Sequence, residues 1–342
     1  MIFPIIYPSA ASFWRNYFYI KKLESNPSVT ARRRTLPDGF VLPNNDSLIQ
    51  ILKNEFQIMD PISIMASEAN KRIRYRPDLI CSVMPKELPK DGFIELCRLS
   101  LGEEKCFIVV ASPELCFLQA AASLPILDLI KYGYELCAIF FFDQTRKFGF
   151  AYHDPVTDLE KMKRYIGQAS GMKGVQQARK AIRYINEQAG SPMEILLSMF
   201  VSLPISLGGF AIHGFSINGQ VDLNEEGCKI IGRDHCKCDL VWREIKVVLE
   251  YDSNQVHMES SQHAMDKRRV TALNASGYKV FVITTADMHH LVTLENILFS
   301  VRKSLKMKKE MLQFQKFQNK REELYAWIKE QMRVSVSTDL FP

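Results

Sequence analysis

The spacing of apolar and polar residues predicts regular elements most clearly in the C-terminal half of the chain. A helix begins at Ser191, with Ser191 as N-cap, Pro192 at the first helical position and Glu194 three residues after the cap. The elements predicted after it are strands at 220–223 or 228–231, 236–242, 246–252 and 278–284, and helices at 259–276, 286–305 and 306–332. This order of a helix, strands in hairpins, a helix, a strand and further helices is typical of an α/β unit with a mixed sheet.

The N-terminal half gives a less regular pattern. Helical spacing predicts a helix over 46–56, and Ser112-Pro113 opens another after a strand at 107–110. An apolar run at 136–143 fits a strand or a short helix, because periodicity cannot separate the two over so few residues. A basic amphipathic helix is predicted over 171–186, with these residues facing inward: Val175, Ala178, Ile182 and Ile185.

These patterns divide the chain into four parts. They are an N-terminal region of uncertain fold (1–105), an α/β region (106–188), a second α/β domain (190–305) and a basic amphipathic helical tail (306–342). The predicted fold class is α/β, with a mixed sheet flanked by helices in the C-terminal half, preceded by an α+β N-terminal region.

Composition places the 342-residue chain among ordinary globular proteins, with 47% hydrophobic and 24% charged residues. Its longest apolar runs are far shorter than the roughly 20 residues that a membrane span needs. The N-terminus has no Lys or Arg before its apolar stretch, which does not fit a signal peptide. We therefore expect a cytoplasmic protein with no membrane partner and with eight reduced cysteines.

The net charge of +6 is concentrated in one segment. Residues 302–333 hold ten Lys or Arg and four Asp or Glu, so the rest of the chain is balanced. Such a concentration favours a polyanionic partner, and we predict that Lys306, Lys308 and Lys309 contact nucleic acid. A solvated helix face is the alternative interpretation.

Candidate chemistry lies on the strand at 246–252. Glu250 and Asp252 share one face of this apolar strand, and the hairpin brings Asp239 of the preceding strand beside Glu250. Adjacent carboxylates in an apolar setting are costly unless a cation neutralises them, and oxygen ligands suit Mg²⁺. Ion pairs with Arg243 or Lys246 at the hairpin are the structural alternative.

These residues carry a resemblance to a known family. Asp239-Leu-Val-Trp, Val-Leu-Glu250-Tyr-Asp252, His257, Asp266-Lys-Arg-Arg269 and Gly277-Tyr-Lys-Val-Phe-Val-Ile-Thr resemble the PD-(D/E)XK nuclease superfamily. The branch most similar holds very-short-patch-repair-like endonuclease domains, known as domain of unknown function 559. The resemblance covers about 190–300 and implies a restriction-endonuclease-like fold. Residues 107–190 resemble, less closely, the segment that precedes this domain in AbiEi-type antitoxins of abortive-infection systems.

The resemblance implies a DNA endonuclease, a phosphodiester hydrolase that uses Mg²⁺ or Mn²⁺. The matching catalytic positions are Glu194, Asp239, Glu250, Asp252 and His257, of which Asp239, Glu250 and Asp252 are the metal ligands. Lys267, Arg268 and Arg269 are expected to contact DNA. Asp252 stands where the superfamily usually has a lysine, which leaves the metal or His257 to orient the attacking water. A link to phage defence, mobile elements or toxin–antitoxin systems follows from the same resemblance.

Each candidate also has a structural interpretation. Glu194 fits a capping-box partner of Ser191, His257 a solvated loop residue, and Asp266 with Arg269 a surface ion pair. A zinc site is one interpretation of the group formed by Cys228, His235, Cys236 and Cys238. The favoured interpretation is that its cysteines are small apolar residues of the core. Two rival functions follow, a non-catalytic nucleic-acid-binding regulator of antitoxin type and a scaffold whose basic C-terminal helix binds an acidic protein.

Overall fold

The computed structural model describes residues 1–22, 32–56, 58, 61–74, 76–101, 104–142, 149–252, 260–307 and 315–336. Two compact units divide the chain, Met1–Ile185 and Asn186–Pro342. Both combine β-sheet with helices, as the predicted α/β class requires. Within these ranges, no helix has the length and apolarity needed to cross a membrane. All eight cysteines are free thiols.

The N-terminal unit is built on a six-stranded sheet with the strand order β2-β5-β6-β1-β3-β4. Its strands, with a separate β7-β8 hairpin, are β1 Ile2–Ile5, β2 Arg32–Arg34, β3 Ile62–Ala66, β4 Leu79–Val83, β5 Phe93–Leu101, β6 Glu104–Ala111, β7 Phe140–Phe142 and β8 Phe150–Tyr152. Its helices are α1 Ser9–Lys22, α2 Asp46–Phe56, α3 Pro113–Ala120, α4 Ile126–Leu136, α5 Leu159–Gln168 and α6 Val175–Ala181.

Local sequence signals produce several of these elements where they were predicted. Leu48, Leu52 and Phe56 form the buried face of α2, and the Ser112 hydroxyl accepts a hydrogen bond from Leu115 N–H at 3.2 Å, which caps α3. The run at 136–143 is the end of a helix followed by β7. The helix predicted at 171–186 is shorter, with a 3₁₀ turn after Ala181, and its four inward residues are buried.

The predicted boundary at 105/106 differs from the structure. β6 spans that position and pairs with β5 on one side and, in parallel, with β1 on the other, from Ile2 opposite Phe107 to Ile5 opposite Val110. The parallel pairing joins the first residues of the chain to a strand about a hundred positions later, a contact that periodicity alone does not reveal. The boundary predicted near 188–190 lies close to the observed division at 185/186.

The C-terminal unit contains a four-stranded mixed sheet with the order β12-β11-β10-β9. β9, β10 and β11 are antiparallel neighbours, whereas β11 and β12 are parallel. The strands are β9 Ser216–Asp222, β10 His235–Trp242, β11 Val247–Asp252 and β12 Lys279–Thr284. The helices are α7 Pro192–Ser202, α8 Glu225–Ile231, α9 Ser260–Ala275, α10 Thr285–Met288, α11 Leu291–Ser304 and α12 Gln315–Val336.

Two predictions in this unit need correction. The run at 228–231, offered as a strand, belongs to α8, because the Asn224 side chain caps the helix start at Gly227 N–H and Gly232 ends it with a left-handed backbone. The helix predicted over 286–305 is two helices, since a Thr284 capping box begins α10 and the chain leaves helical geometry before α11. The hairpin turn predicted at Arg243-Glu244 is confirmed.

The helix α12, which makes up the described part of the predicted tail with Lys306 and Met307, packs into the core of the C-terminal unit. α12 packs against α7 and the 3₁₀ helix Ile205–Leu207, with Leu324, Ile328 and Met332 buried. At Gly208 a Cβ would lie 2.2 Å from the carbonyl oxygen of Lys320, so only glycine permits this approach. Arg302 and Arg321 are also buried, and therefore part of the positive charge in 302–333 lies in the core and does not face solvent.

We expect Ile328→Ala to lower the free energy of unfolding of the C-terminal unit by about 2–5 kcal/mol, the usual cost of a cavity at a fully buried isoleucine. Val292→Ala is the matched control, because Val292 is 69% exposed in the same unit and its truncation should be nearly neutral. Urea unfolding followed by circular dichroism measures both. Equal stability of Ile328→Ala and the parent would show that α12 does not belong to this core.

Candidate functional site

The candidate site lies where β10 and β11 separate. Their antiparallel register runs from Trp242 opposite Val247 to Leu240 opposite Leu249, and its continuation sets Asp239 against Glu250. Asp239 Oδ2 accepts a hydrogen bond from the backbone N–H of Tyr251 at 2.6 Å. The carboxylate of Asp239 thus occupies the place of a backbone partner at the point where the ladder ends.

The side-chain alternation of β10 also changes near Asp239. Val241 belongs to the same core cluster as Cys236 and Cys238, although strict alternation would place it on the opposite face. The neighbouring strand is irregular at this level, since Asn218 in β9 has a positive φ of 49°. Because of this irregularity, the Asp239 side chain reaches the backbone of β11 instead of following the regular alternation of β10.

Glu194 is held at the start of α7 by two hydrogen bonds to one oxygen. Its Oε2 accepts from Gly190 N–H at 2.7 Å and from Asn218 Nδ2 at 2.6 Å, while its own N–H donates to the Ser191 hydroxyl at 3.2 Å. In a capping box the glutamate would bond to the backbone N–H of the cap residue itself. The predicted N-cap is confirmed, and Asn218 additionally ties the Glu194 carboxylate to β9.

Glu250 is only 3% exposed and pairs with an arginine of α9. Arg269 Nη2 donates to Glu250 Oε2 at 3.1 Å, and Arg269 Nη1 donates to the carbonyl of Lys237 at 3.3 Å. The other oxygen, Glu250 Oε1, is buried without a hydrogen-bond partner among the described residues. Sequence analysis assigned Arg269 to DNA contacts; in the structure its carboxylate partner is Glu250.

Burial and repulsion by neighbouring carboxylates raise the pKa of Asp239 and of Glu194. The pKa of Asp239 is raised well above its ordinary value by burial first, and then by the charges of Glu250 and Glu194. Burial also raises the pKa of Glu194, and the charge of Glu250 adds to this. The three carboxylates are therefore close enough to act on one another, and their negative charge requires a proton or a cation to offset it.

The other predicted site residues are placed as follows. Asp252 ends β11 opposite Thr284 of β12, and Lys267 and Arg268 are exposed on α9. Lys306 is exposed after α11. His257, Lys308 and Lys309 lie outside the described residues, as does the side chain of Asp266.

The cysteines near the site pack in the core. Cys236 and Cys238 join a buried cluster with Val248 and Leu273, and burial together with Glu250 raises the pKa of the Cys238 thiol. His235 is exposed, and its Nδ1 lies within hydrogen-bond distance of Asp234 Oδ1, at 2.6 Å. Across the described ranges, no group of three or more His, Cys, Asp or Glu side chains is arranged to hold a metal ion.

Comparison of the chain with protein-family models, curated proteins and solved structures found no match. The contacts of the carboxylate cluster are therefore the basis of the functional proposal.

The sequence did not identify Asn218 as a site residue, and it placed Arg269 at DNA without its carboxylate partner. Asn218, which anchors Glu194, carries a signal that could have been used, because Asn-Gly inside a strand indicates an irregular backbone. Arg269 as the partner of Glu250 has no local signal, since the pair depends on how α9 packs against β10 and β11.

The raised pKa of Asp239 makes its charge unfavourable to folding. The folded protein keeps this proton to higher pH than the unfolded chain, so the destabilisation grows as pH rises above the ordinary value of 3.8. We expect Asp239→Asn, in metal-free buffer, to raise the melting temperature at pH 8 and to change it little at pH 4. The asparagine oxygen can still accept from Tyr251 N–H.

The matched control is Asp234→Asn. Asp234 is exposed and its pKa is lowered by the hydrogen bond with His235, so its charge does not oppose folding. This control should not raise the melting temperature at either pH. If Asp239→Asn and the parent melt alike at pH 8 in EDTA, the carboxylates do not repel one another as argued here.

Proposed function

We propose that the C-terminal unit is a metal-dependent DNA endonuclease centred on Asp239, Glu250 and Glu194. The observation that carries the proposal is the meeting of three carboxylates from β10, β11 and α7 in a place where burial and repulsion raise the pKa of two of them. Natural proteins keep such a cluster at a cost in stability, and clusters of this kind are frequent at functional sites.

The arrangement of elements supports a restriction-endonuclease-like fold for this unit. A helix, three antiparallel strands, a second helix and a fourth strand parallel to the third follow in the order α7, β9 to β11, α9 and β12. α8 is inserted between β9 and β10. Asp239 and Glu250 stand on neighbouring strands, as the resemblance to PD-(D/E)XK nucleases leads us to expect.

The donor atoms suit a hard divalent cation. Carboxylate oxygens are the ligands that Mg²⁺ and Mn²⁺ prefer, and the buried Glu250 Oε1 is an oxygen whose hydrogen-bonding capacity the described protein leaves unused. Asp239 and Glu250 would hold the ion, with Asp252 nearby on β11. When bound, the cation would polarise the scissile phosphate and lower the pKa of a water molecule.

The chain's own residues orient the two carboxylates. Tyr251 N–H holds Asp239 Oδ2 and Arg269 holds Glu250 Oε2, which leaves Glu250 Oε1 as the oxygen that would face a cation. Glu194 is fixed by Gly190 and Asn218, and its raised pKa favours the protonated form of this carboxyl group. We assign it the role of holding a proton while Asp239 and Glu250 hold the ion.

A second candidate function is the non-catalytic, antitoxin-like regulator that binds nucleic acid. The observation that favours it is the Arg269–Glu250 ion pair, which neutralises the central carboxylate without any metal. Asp252 in place of the usual lysine also favours the non-catalytic regulator. A place in phage defence stays a prediction from the resemblance.

Glu250→Gln distinguishes the two functions. We expect the parent to cleave duplex, nicked or single-stranded DNA with Mn²⁺, and Glu250→Gln to lose cleavage by at least about a hundredfold while still binding DNA, because this carboxylate acts mainly in the transition state. Gel assays of cleavage and fluorescence anisotropy in EDTA measure the two properties. Asp239→Asn should behave in the same way.

Glu244→Gln is the matched control, since Glu244 is an exposed carboxylate in the hairpin turn of the same two strands and should not affect cleavage. Melting curves with and without Mn²⁺ test the metal independently, because an ion that binds only the folded state raises the melting temperature. A parent that cleaves no DNA form and gains no stability from Mn²⁺ would exclude the nuclease and support the regulator.

A further inference from the structure

A cleft of about 480 Å³ opens between β10 and α9. Among the described residues, its charged lining consists of Arg233, Lys237 and Arg269, and the imidazole of His235, which is hydrogen-bonded to Asp234, lies beside them. Ile231 and Met265 supply its apolar wall, and Met265 is 44% exposed. A volume of this size is within the range of small-ligand sites and is sufficient for about one nucleotide unit.

The sequence creates this cleft through the alternation along β10. Cys236 and Cys238 turn into the core, whereas His235 and Lys237 turn outward, and Arg233 is exposed in the turn before the strand. β10 is paired with β11 only from Leu240 to Trp242. Along its first half, β10 pairs with β9 at one edge. At its other edge, Arg269 of α9 donates to the Lys237 carbonyl.

The cleft leads directly to the carboxylate cluster. Arg269 lines it and also donates to Glu250 Oε2, so one guanidinium group separates the cleft from the central carboxylate. Arg233 and Lys237 add positive charge to the cleft beyond the Arg269–Glu250 pair, and this charge attracts a polyanion. The exposed Met265 and the partly buried Ile231 beside them match a ligand that carries both phosphates and apolar faces.

We propose that this cleft binds the sugar–phosphate backbone of one nucleic-acid strand next to the bond to be cleaved, an inference that rests on the proposed nuclease function. Arg233 and Lys237 contact phosphates, and Met265 packs against a sugar or base. Strands are commonly bound in this way, with a basic groove following the backbone and neighbouring side chains packing on bases. Such contacts position a strand without reading its sequence.

Binding in EDTA tests this inference without any cleavage. The probes are a fluorescein-labelled single-stranded oligonucleotide and its duplex, measured by fluorescence anisotropy over a range of salt concentrations. We expect Arg233→Gln and Lys237→Gln each to weaken binding at least about threefold, and to reduce the salt slope by about 0.7–0.9 for each lost phosphate contact. Lys237→Arg should keep the affinity of the parent, because it preserves the cation.

Arg243→Gln is the matched control, since Arg243 is exposed just beyond the opposite end of β10 and should bind as the parent does. Unchanged affinity and salt slope in the Arg233 and Lys237 variants would overturn the inference. So would a parent that binds neither probe. Competition by a polyglutamate peptide or a mononucleotide as strong as that by the unlabelled oligonucleotide would also overturn it, because the cleft would then not be specific for a strand.

The two proposals fail in distinguishable ways. If Glu250→Gln abolishes cleavage but the Arg233 and Lys237 variants bind like the parent, the nuclease stands and the cleft inference is wrong. If these variants lose affinity while no DNA form is cleaved by the parent, the cleft binds a strand for a regulator rather than for an enzyme. In that case strand binding is supported and its link to cleavage is overturned.

Discussion

Buried carboxylates that repel one another need a partner, and this requirement organises the C-terminal unit around Glu250. Arg269 of α9 supplies a cation to one oxygen of Glu250, Tyr251 N–H engages Asp239, and Asn218 engages Glu194. Each partner comes from a different element, so these contacts tie α9 to β11, β11 to β10, and β9 to α7. β10 and β11 separate at this point, because the Asp239 side chain accepts the hydrogen bond of Tyr251 N–H where the backbone ladder ends.

How much of this could be predicted from the sequence depends on the range of the interaction. The N-cap at Ser191, the hairpin turn at Arg243-Glu244 and the adjacency of the strands that carry Asp239 and Glu250 follow from local signals, and the structure contains them. The run at 228–231, offered as an alternative strand, is helical in α8, since a short apolar run fits either a strand or a helix. Contacts between distant segments, such as the pairing of Arg269 with Glu250, leave no trace in local periodicity.

Charge shows the same division between local and distant information. The sequence locates an excess of cations in 302–333, and a basic tail is the natural interpretation. In the structure Arg321 pairs with Glu295 at 2.6 Å and packs over the ring of Phe210, while Arg302 donates to the Phe210 carbonyl. The cations of the cleft beside the carboxylate cluster are instead spread singly over the turn before β10, β10 itself and α9, where a count over sequence windows does not detect them.

The packing of α12 on α7 has a consequence for the order in which the protein is made. α7 carries Glu194 at its first turn and ends at Ser202, yet the helix that covers it begins only at Gln315. A ribosome releases α7 well before it releases α12, so the nascent unit exposes the apolar face of α7 throughout that interval. Until α12 is made, that face is open to association with other chains or with chaperones.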